Sequence, residues 1–87
     1  MTIYIALLRF LRNACTVEFP DFPNLAVTVL NAAQARTRAS AILLQHAREL
    51  ARRRAALPAP TPAGQIMGRR RNRDAVPMLV RVPPIDS

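Results

Sequence analysis

Cys15 and His46 are the one thiol and the one imidazole in this 87-residue chain. A thiol relayed to an imidazole is a standard way to build a sulfur nucleophile. Their neighbours point elsewhere. Cys15 alternates with Val17 and Phe19 on the inward side of a predicted strand, and His46 recurs with Ala35, Ala39, Ile42, Leu43, Ala47 and Leu50 at helical spacing. Both are therefore expected to pack in a core. One Cys and one His also fall short of the four ligands that close a structural zinc site.

Carboxylates give the second test for chemistry, because two-metal phosphodiester cleavage needs several of them converging on divalent cations. The five acids, Glu18, Asp21, Glu49, Asp74 and Asp86, lie on different predicted elements, with none on the first strand. Gly64 and Gly68 are the two glycines, so no glycine-rich loop is available to cradle a phosphate. The expectation is a protein that is not an enzyme and that uses no cofactor and no metal.

Charge is the outstanding feature. All thirteen basic residues are arginine, which gives a formal net charge of +8. Such a field attracts nucleic acid, an anionic membrane surface or an acidic protein, although a bias toward Ala and Arg in the coding DNA would leave the same trace. Arg69, Arg70, Arg71 and Arg73 form the densest cluster. It reads either as a solvated loop or as a nucleic-acid contact. The four aromatic residues all lie in the strand region, away from these arginines, which disfavours a base-stacking platform.

A lone cysteine forms no internal disulfide, and this suits a reducing, cytoplasmic setting. The apolar start, Ile3 to Leu8, is too short to cross a membrane and lacks the basic region that precedes a secretion-signal core. Ile3 to Leu8 instead reads as a strand, apolar on both alternating faces. A turn at Arg12-Asn13-Ala14 follows, with Asn13 suited to a left-handed backbone. Cys15 to Phe19 is a half-buried strand, ended by Pro20-Asp21-Phe22-Pro23-Asn24. A third strand runs from Leu25 to Leu30.

Asn31 and Gln34 form a capping box at the start of a long helix. Its apolar stripe should pack on the sheet. Arg52-Arg53-Arg54 suits the negative end of the helix dipole, and Pro58 halts the helix. Residues 58–64 are a proline-rich connector, within which Thr61 as cap and Pro62 start a short helical turn through Met67 that Gly68 stops. Arg69 to Arg73 reads as an exposed loop. Ala75 to Val82 is a last strand, in which Pro77 demands an edge position, a bulge or a later start.

The order strand, strand, strand, helix, strand predicts an α+β fold: an antiparallel meander, a crossover helix on one face, and a fourth strand returning to the sheet. At 87 residues one domain, 1–87, is expected. A chain this small is often stabilised by pairing with a copy of itself. A second protomer would cover the face of the first strand that the helix leaves open, making a dimer or larger oligomer.

These residues resemble the HicB family of bacterial antitoxins. The resemblance is carried, in order, by Tyr4-Ile5-Ala6-Leu7-Leu8, by Val17-Glu18-Phe19-Pro20-Asp21-Phe22-Pro23, and by the Asn31 to Ala35 helix start. The Pro58 to Pro62 connector and Asn72-Arg73-Asp74 complete it. It implies a partial ribonuclease-H-like fold and a partner, a HicA-like messenger-RNA-cleaving toxin, which the antitoxin neutralises sterically. Asn24, Leu25 and Val29 stand where that family usually has Pro-Gly-Cys after the strand and a glycine before the helix cap. The usual acidic helix and connector are arginine-rich here. The chain ends at Ser87 without the separate DNA-binding module that many members append, so autoregulation through such a module is not expected.

Phe19, Asp21, Phe22 and Pro23 then have two readings, a tight corner buried by Phe22 or a contact edge for the toxin with Phe22 as anchor. The leading expectation is an antitoxin-type interaction protein. A basic nucleic-acid-binding module using Arg69, Arg70, Arg71 and Arg73, or a decayed orphan antitoxin, are the alternatives. No membrane association is expected.

Overall fold

The computed structural model describes residues 1–85, so Asp86 lies outside the described residues. Four strands, β1 (Thr2–Phe10), β2 (Cys15–Glu18), β3 (Ala26–Val29) and β4 (Val76–Val82), form one sheet in the order β3-β2-β1-β4. Every neighbouring pair is antiparallel. The long helix α1 (Ala32–Arg52) lies between β3 and β4 in sequence, and the short helix α2 (Ala63–Met67) and a 3₁₀ turn (Arg70–Asn72) lead into β4. This is the predicted α+β order. No helix among the described residues is long and apolar enough to cross a membrane.

The two faces of β1 bury different partners because a strand alternates its side chains. Tyr4, Ala6 and Leu8 join Cys15, Val17, Val29, Val80 and Val82 against the α1 residues Ala35, Ala39, Leu43 and Ala47. Small alanines at every fourth position let the helix lie close to the sheet, and Leu43 fills the centre. Truncating a fully buried leucine of this kind costs about 2–5 kcal/mol.

On the back face, Ile5 and Leu7 pack against Ile66 and Ala75, with Met67 at the edge. The chain thus covers with its own residues 66–75 the part of β1 for which a second protomer was expected. That argument for a dimer is removed, although Ile3 and Leu79 remain exposed farther along.

Pro77 sits inside β4 without breaking it, opposite Leu7. β4 is an edge strand, where a missing amide donor is tolerated. Arg36 further occupies this edge by donating from Nη1 to the Leu79 carbonyl at 3.2 Å.

Several local expectations are corrected. Arg54, with φ 56°, is the one non-glycine residue with positive φ among those described, so Asn13 does not take the left-handed form. The β1–β2 turn closes instead through the Leu11 N–H and the Ala14 carbonyl, 2.8 Å apart. Val29 ends β3 as a buried residue, with no left-handed turn at its position. At the start of α1 the Asn31 carboxamide oxygen accepts from the Gln34 N–H at 3.2 Å, as predicted. The Gln34 side chain returns to the Leu30 N–H and not to that of Asn31.

Helix α1 stops well before Pro58. The Arg54 N–H donates to the Ala51 carbonyl and the Ala55 N–H to the Leu50 carbonyl, at 3.0 and 2.9 Å. These paired bonds around a left-handed residue satisfy the last carbonyls and end the helix. Thr61 does not cap α2, because Pro62 holds the cap position and Thr61 is bonded elsewhere. Gly68 does stop α2, in a right-handed conformation with φ −72°. The Arg69–Arg73 segment is not a plain loop: it holds the 3₁₀ turn Arg70–Asn72, capped by Arg69 and Arg73, with Asn72 buried.

A candidate partner-binding groove

Glu18 begins the site, as the back-face residue at the end of β2, directly opposite Leu7. Arg9, two residues along the same face of β1, donates from Nε to the Glu18 carboxylate. Its other two nitrogens leave the sheet. Nη1 donates to the Arg71 carbonyl at 3.0 Å, and Nη2 to Asn72 Oδ1 at 2.7 Å. A guanidinium can do this because it presents its donors in a rigid planar fork.

Asn72 completes the link. Its side chain is 2% exposed, and its Nδ2 donates to the Ile66 carbonyl at 2.8 Å. Both ends of the carboxamide are satisfied, which is the condition for burying it without loss. This pins the arginine turn to the sheet. Arg9 and Asn72 were outside every site predicted from sequence. A charged residue on the back face of an apolar strand was the one signal that could have marked Arg9.

The turn and the sheet enclose a groove of about 330 Å³, lined by Leu7, Arg9, Glu18, Phe19, Pro20, Pro23, Leu25, Ala26, Arg69, Arg71 and Asn72. Two segments that the sequence reading kept apart therefore face each other. Pro20, Pro23 and Leu25 form an apolar wall from the β2–β3 connection. Arg69 and Arg71 form a cationic wall from the 3₁₀ turn. Arg70 and Arg73 are exposed but stand outside the lining.

Among the described residues the ion pairs are Arg9 with Glu18 and Arg52 with Glu49. Neither Arg69 nor Arg71 forms an ion pair with a carboxylate among those residues. Glu18, the groove's one acid, is held by Arg9.

The Phe-Pro turn divides its duties. Phe22 is 5% exposed and points into the core, with its ring edge-to-face against Tyr4 at 4.9 Å and His46 at 5.4 Å. Of the two readings of this turn, the tight corner buried by Phe22 holds for that residue, and the contact role for Phe22 does not. Phe19 is also buried and packs edge-to-face on Phe22 at 6.5 Å, so it backs the groove wall and does not project from it. Asp21 is a clamp. Its carboxylate accepts from the Thr61 N–H at 2.9 Å and from Thr61 Oγ1 at 2.5 Å. Pro23 alone of the four is exposed on the groove.

The connector is held at a second point, where the Tyr4 hydroxyl donates to the Pro58 carbonyl at 2.7 Å. Burial, and to a lesser extent the Asp21 charge, push the Tyr4 phenol above its ordinary pKa. Cys15 is buried in the sheet. No group of three or more His, Cys, Asp or Glu residues with metal-binding geometry occurs among the described residues.

No family model matches the sequence. No curated protein matches it either. Solved structures do. A chain of a HicA3 and HicB3 toxin-antitoxin complex aligns over 95% of this chain and 100% of its own, with TM-score 0.76 and 17% identity. A chain of a toxin-antitoxin complex from Streptococcus pneumoniae aligns over 99% of this chain and 78% of its own, with TM-score 0.74 and 18% identity. At these identities the likeness is one of fold: the chain has the fold of a component of two toxin-antitoxin complexes.

Proposed function

We propose that this chain is an antitoxin-type interaction protein that binds a HicA-like RNA-cleaving toxin and neutralises it sterically through the face bearing the groove. The observation that carries the reading is the joining of the Phe-Pro turn and the arginine turn into one preformed concavity. Binding sites are usually concave, with a few fixed polar groups that orient the partner. The fold likeness to chains of toxin-antitoxin complexes supports the same class of function.

The reading is of binding without catalysis, and three of the five acids support it by being engaged in structural contacts. Glu18 is engaged by Arg9, Asp21 by Thr61, and Glu49 faces Arg52. His46 packs on Phe22 instead of meeting the thiol as a base. The site is thus an assembly of structural contacts around an open, charged concavity.

The test is to co-express the chain with the small protein encoded by the adjacent reading frame, purify the pair, and assay RNA cleavage. Co-elution with loss of cleavage is expected. A neighbour that never co-elutes, or that cuts RNA equally well in the presence of the chain, would overturn the proposal.

A second reading has one specific support, the exposure of Arg70 and Arg73 outside the groove with no ion partner among the described residues. It holds that the chain contacts phosphates non-specifically. Binding to generic duplex that falls steeply with salt, and is lost when Arg69, Arg70, Arg71 and Arg73 become alanine, would favour it.

A further inference from the structure

Resting on the partner-binding reading, we infer that the groove receives an acidic protein segment, with an apolar side chain against Pro20, Pro23 and Leu25 and a carboxylate between Arg69 and Arg71. Charge decides the sign of the ligand. Arg9 and Glu18 neutralise each other at the floor, so Arg69 and Arg71 set the potential of the opening. An anionic group placed there gains charge-assisted hydrogen bonds from planar donors suited to a carboxylate.

The other wall decides between a protein segment and RNA. Recognition of single-stranded RNA relies on bases stacking against exposed aromatic rings. The groove offers two prolines and a leucine instead, and its one aromatic residue, Phe19, is 2% exposed. At about 330 Å³ the groove is at the small end of binding cavities. It is sized for a few side chains of a loop. A second copy of this chain is disfavoured as the occupant because each copy carries +8.

Both walls are fixed before binding. Arg9 and Asn72 hold the arginine turn, and the Asp21 carboxylate ties the Phe-Pro turn to Thr61. Preorganisation of this kind lowers the ordering cost of association. A loop bearing an acid next to an aliphatic residue meets both walls at once.

Amide chemical-shift titration of the full-length chain tests this with three probes: a short capped peptide alternating Asp and Leu, its Lys and Leu counterpart, and oligouridine of equal length. The Asp-Leu peptide is expected to move the amides of residues 69–72 and 24–26. Its affinity should fall about tenfold or more in the Arg69→Gln/Arg71→Gln variant. Both side chains lie outside the core, so amide dispersion in the variant should match wild type. The Lys-Leu peptide should leave the groove unmoved. Groove shifts from the Lys-Leu peptide, tighter binding of oligouridine at the same amides, or an Asp-Leu peptide that moves none of them would overturn the inference. Any of these results would leave co-elution with the neighbouring gene product as a separate matter, so this inference and the proposed function fail independently.

Discussion

Arg9 reaches Asn72 across 63 positions of sequence, donating from Nη2 to Oδ1 at 2.7 Å. The same guanidinium bonds Glu18 and the Arg71 carbonyl, so one side chain joins β1, β2 and the turn that carries the groove's cationic wall. The pair with Glu18 is partly exposed and contributes about 0–1 kcal/mol. The bonds to the turn serve a buried amide and contribute more.

Arg9→Ala is therefore expected to cost about 2–3 kcal/mol and Glu18→Ala about 1 kcal/mol or less. Arg9→Lys should fail to restore stability, because one ammonium cannot reproduce the fork. Urea denaturation of the three variants checks this. Equal losses for Arg9→Ala and Glu18→Ala would show that the contact to Asn72 is unimportant.

Tyr4 gives a pH prediction. Its folded pKa is raised, so the neutral phenol is favoured by folding. The stability it contributes is complete below the unfolded value of about 10 and is lost as pH rises through the higher folded value. Tyr4→Phe should lose about 1 kcal/mol at neutral pH with the Pro58 bond. The variant should also show a smaller fall in stability above about pH 10. Tyr4 is the chain's one tyrosine and no tryptophan is present, so phenolate absorbance reports its titration directly.

Arg54 holds a left-handed backbone at the end of α1, a conformation that costs a residue with a Cβ roughly 1 kcal/mol relative to glycine. Arg54→Gly should raise stability by about 0.5–1 kcal/mol. Thermal denaturation reads the change. A drop in the midpoint would mean that the arginine side chain makes a compensating contact.

Phe22 and Pro23 are neighbours with separate duties. Phe22→Ala removes a buried ring and should cost about 3–5 kcal/mol. Pro23→Ala changes an exposed residue and should alter stability by about 0.5 kcal/mol or less. It should nevertheless weaken partner binding. Parallel denaturation and co-elution of the two variants distinguish the duties.

Much of the fold was legible because periodicity carries it. The alternation of Cys15, Val17 and Phe19 and the stripe from Ala35 to Leu50 place each element's buried face. The return of β4 to the sheet followed from the crossover rule, and Pro77 marked it as an edge. The site was legible only in halves. The Phe-Pro turn and the arginine run were each visible, but their apposition depends on Arg9 and Asn72, whose bond is long-range and leaves no local pattern.

Long-range contacts also decide the details at Thr61 and Phe22. Thr61 resembled a helix cap because capping is a local rule, whereas the carboxylate it serves belongs to Asp21, forty positions earlier. Phe22 left a buried corner and a projecting anchor both open, because turns are usually exposed whereas a large ring favours burial. The ring is buried because Tyr4, Phe19 and His46 converge on it from three elements. The arginines Arg52 to Arg54 do mark the helix end, but Pro58 is not what stops it, and a left-handed arginine gives no sequence signal.

Binding through the groove is tested by quantitative co-purification of the chain with the product of the adjacent reading frame, comparing wild type, Arg69→Gln/Arg71→Gln and Arg38→Gln/Arg48→Gln. The last variant removes the same amount of charge from exposed positions on α1. The groove variant should lose the complex and the helix variant should keep it. Equal retention or equal loss in the two variants, or no complex with wild type, would contradict binding through the groove.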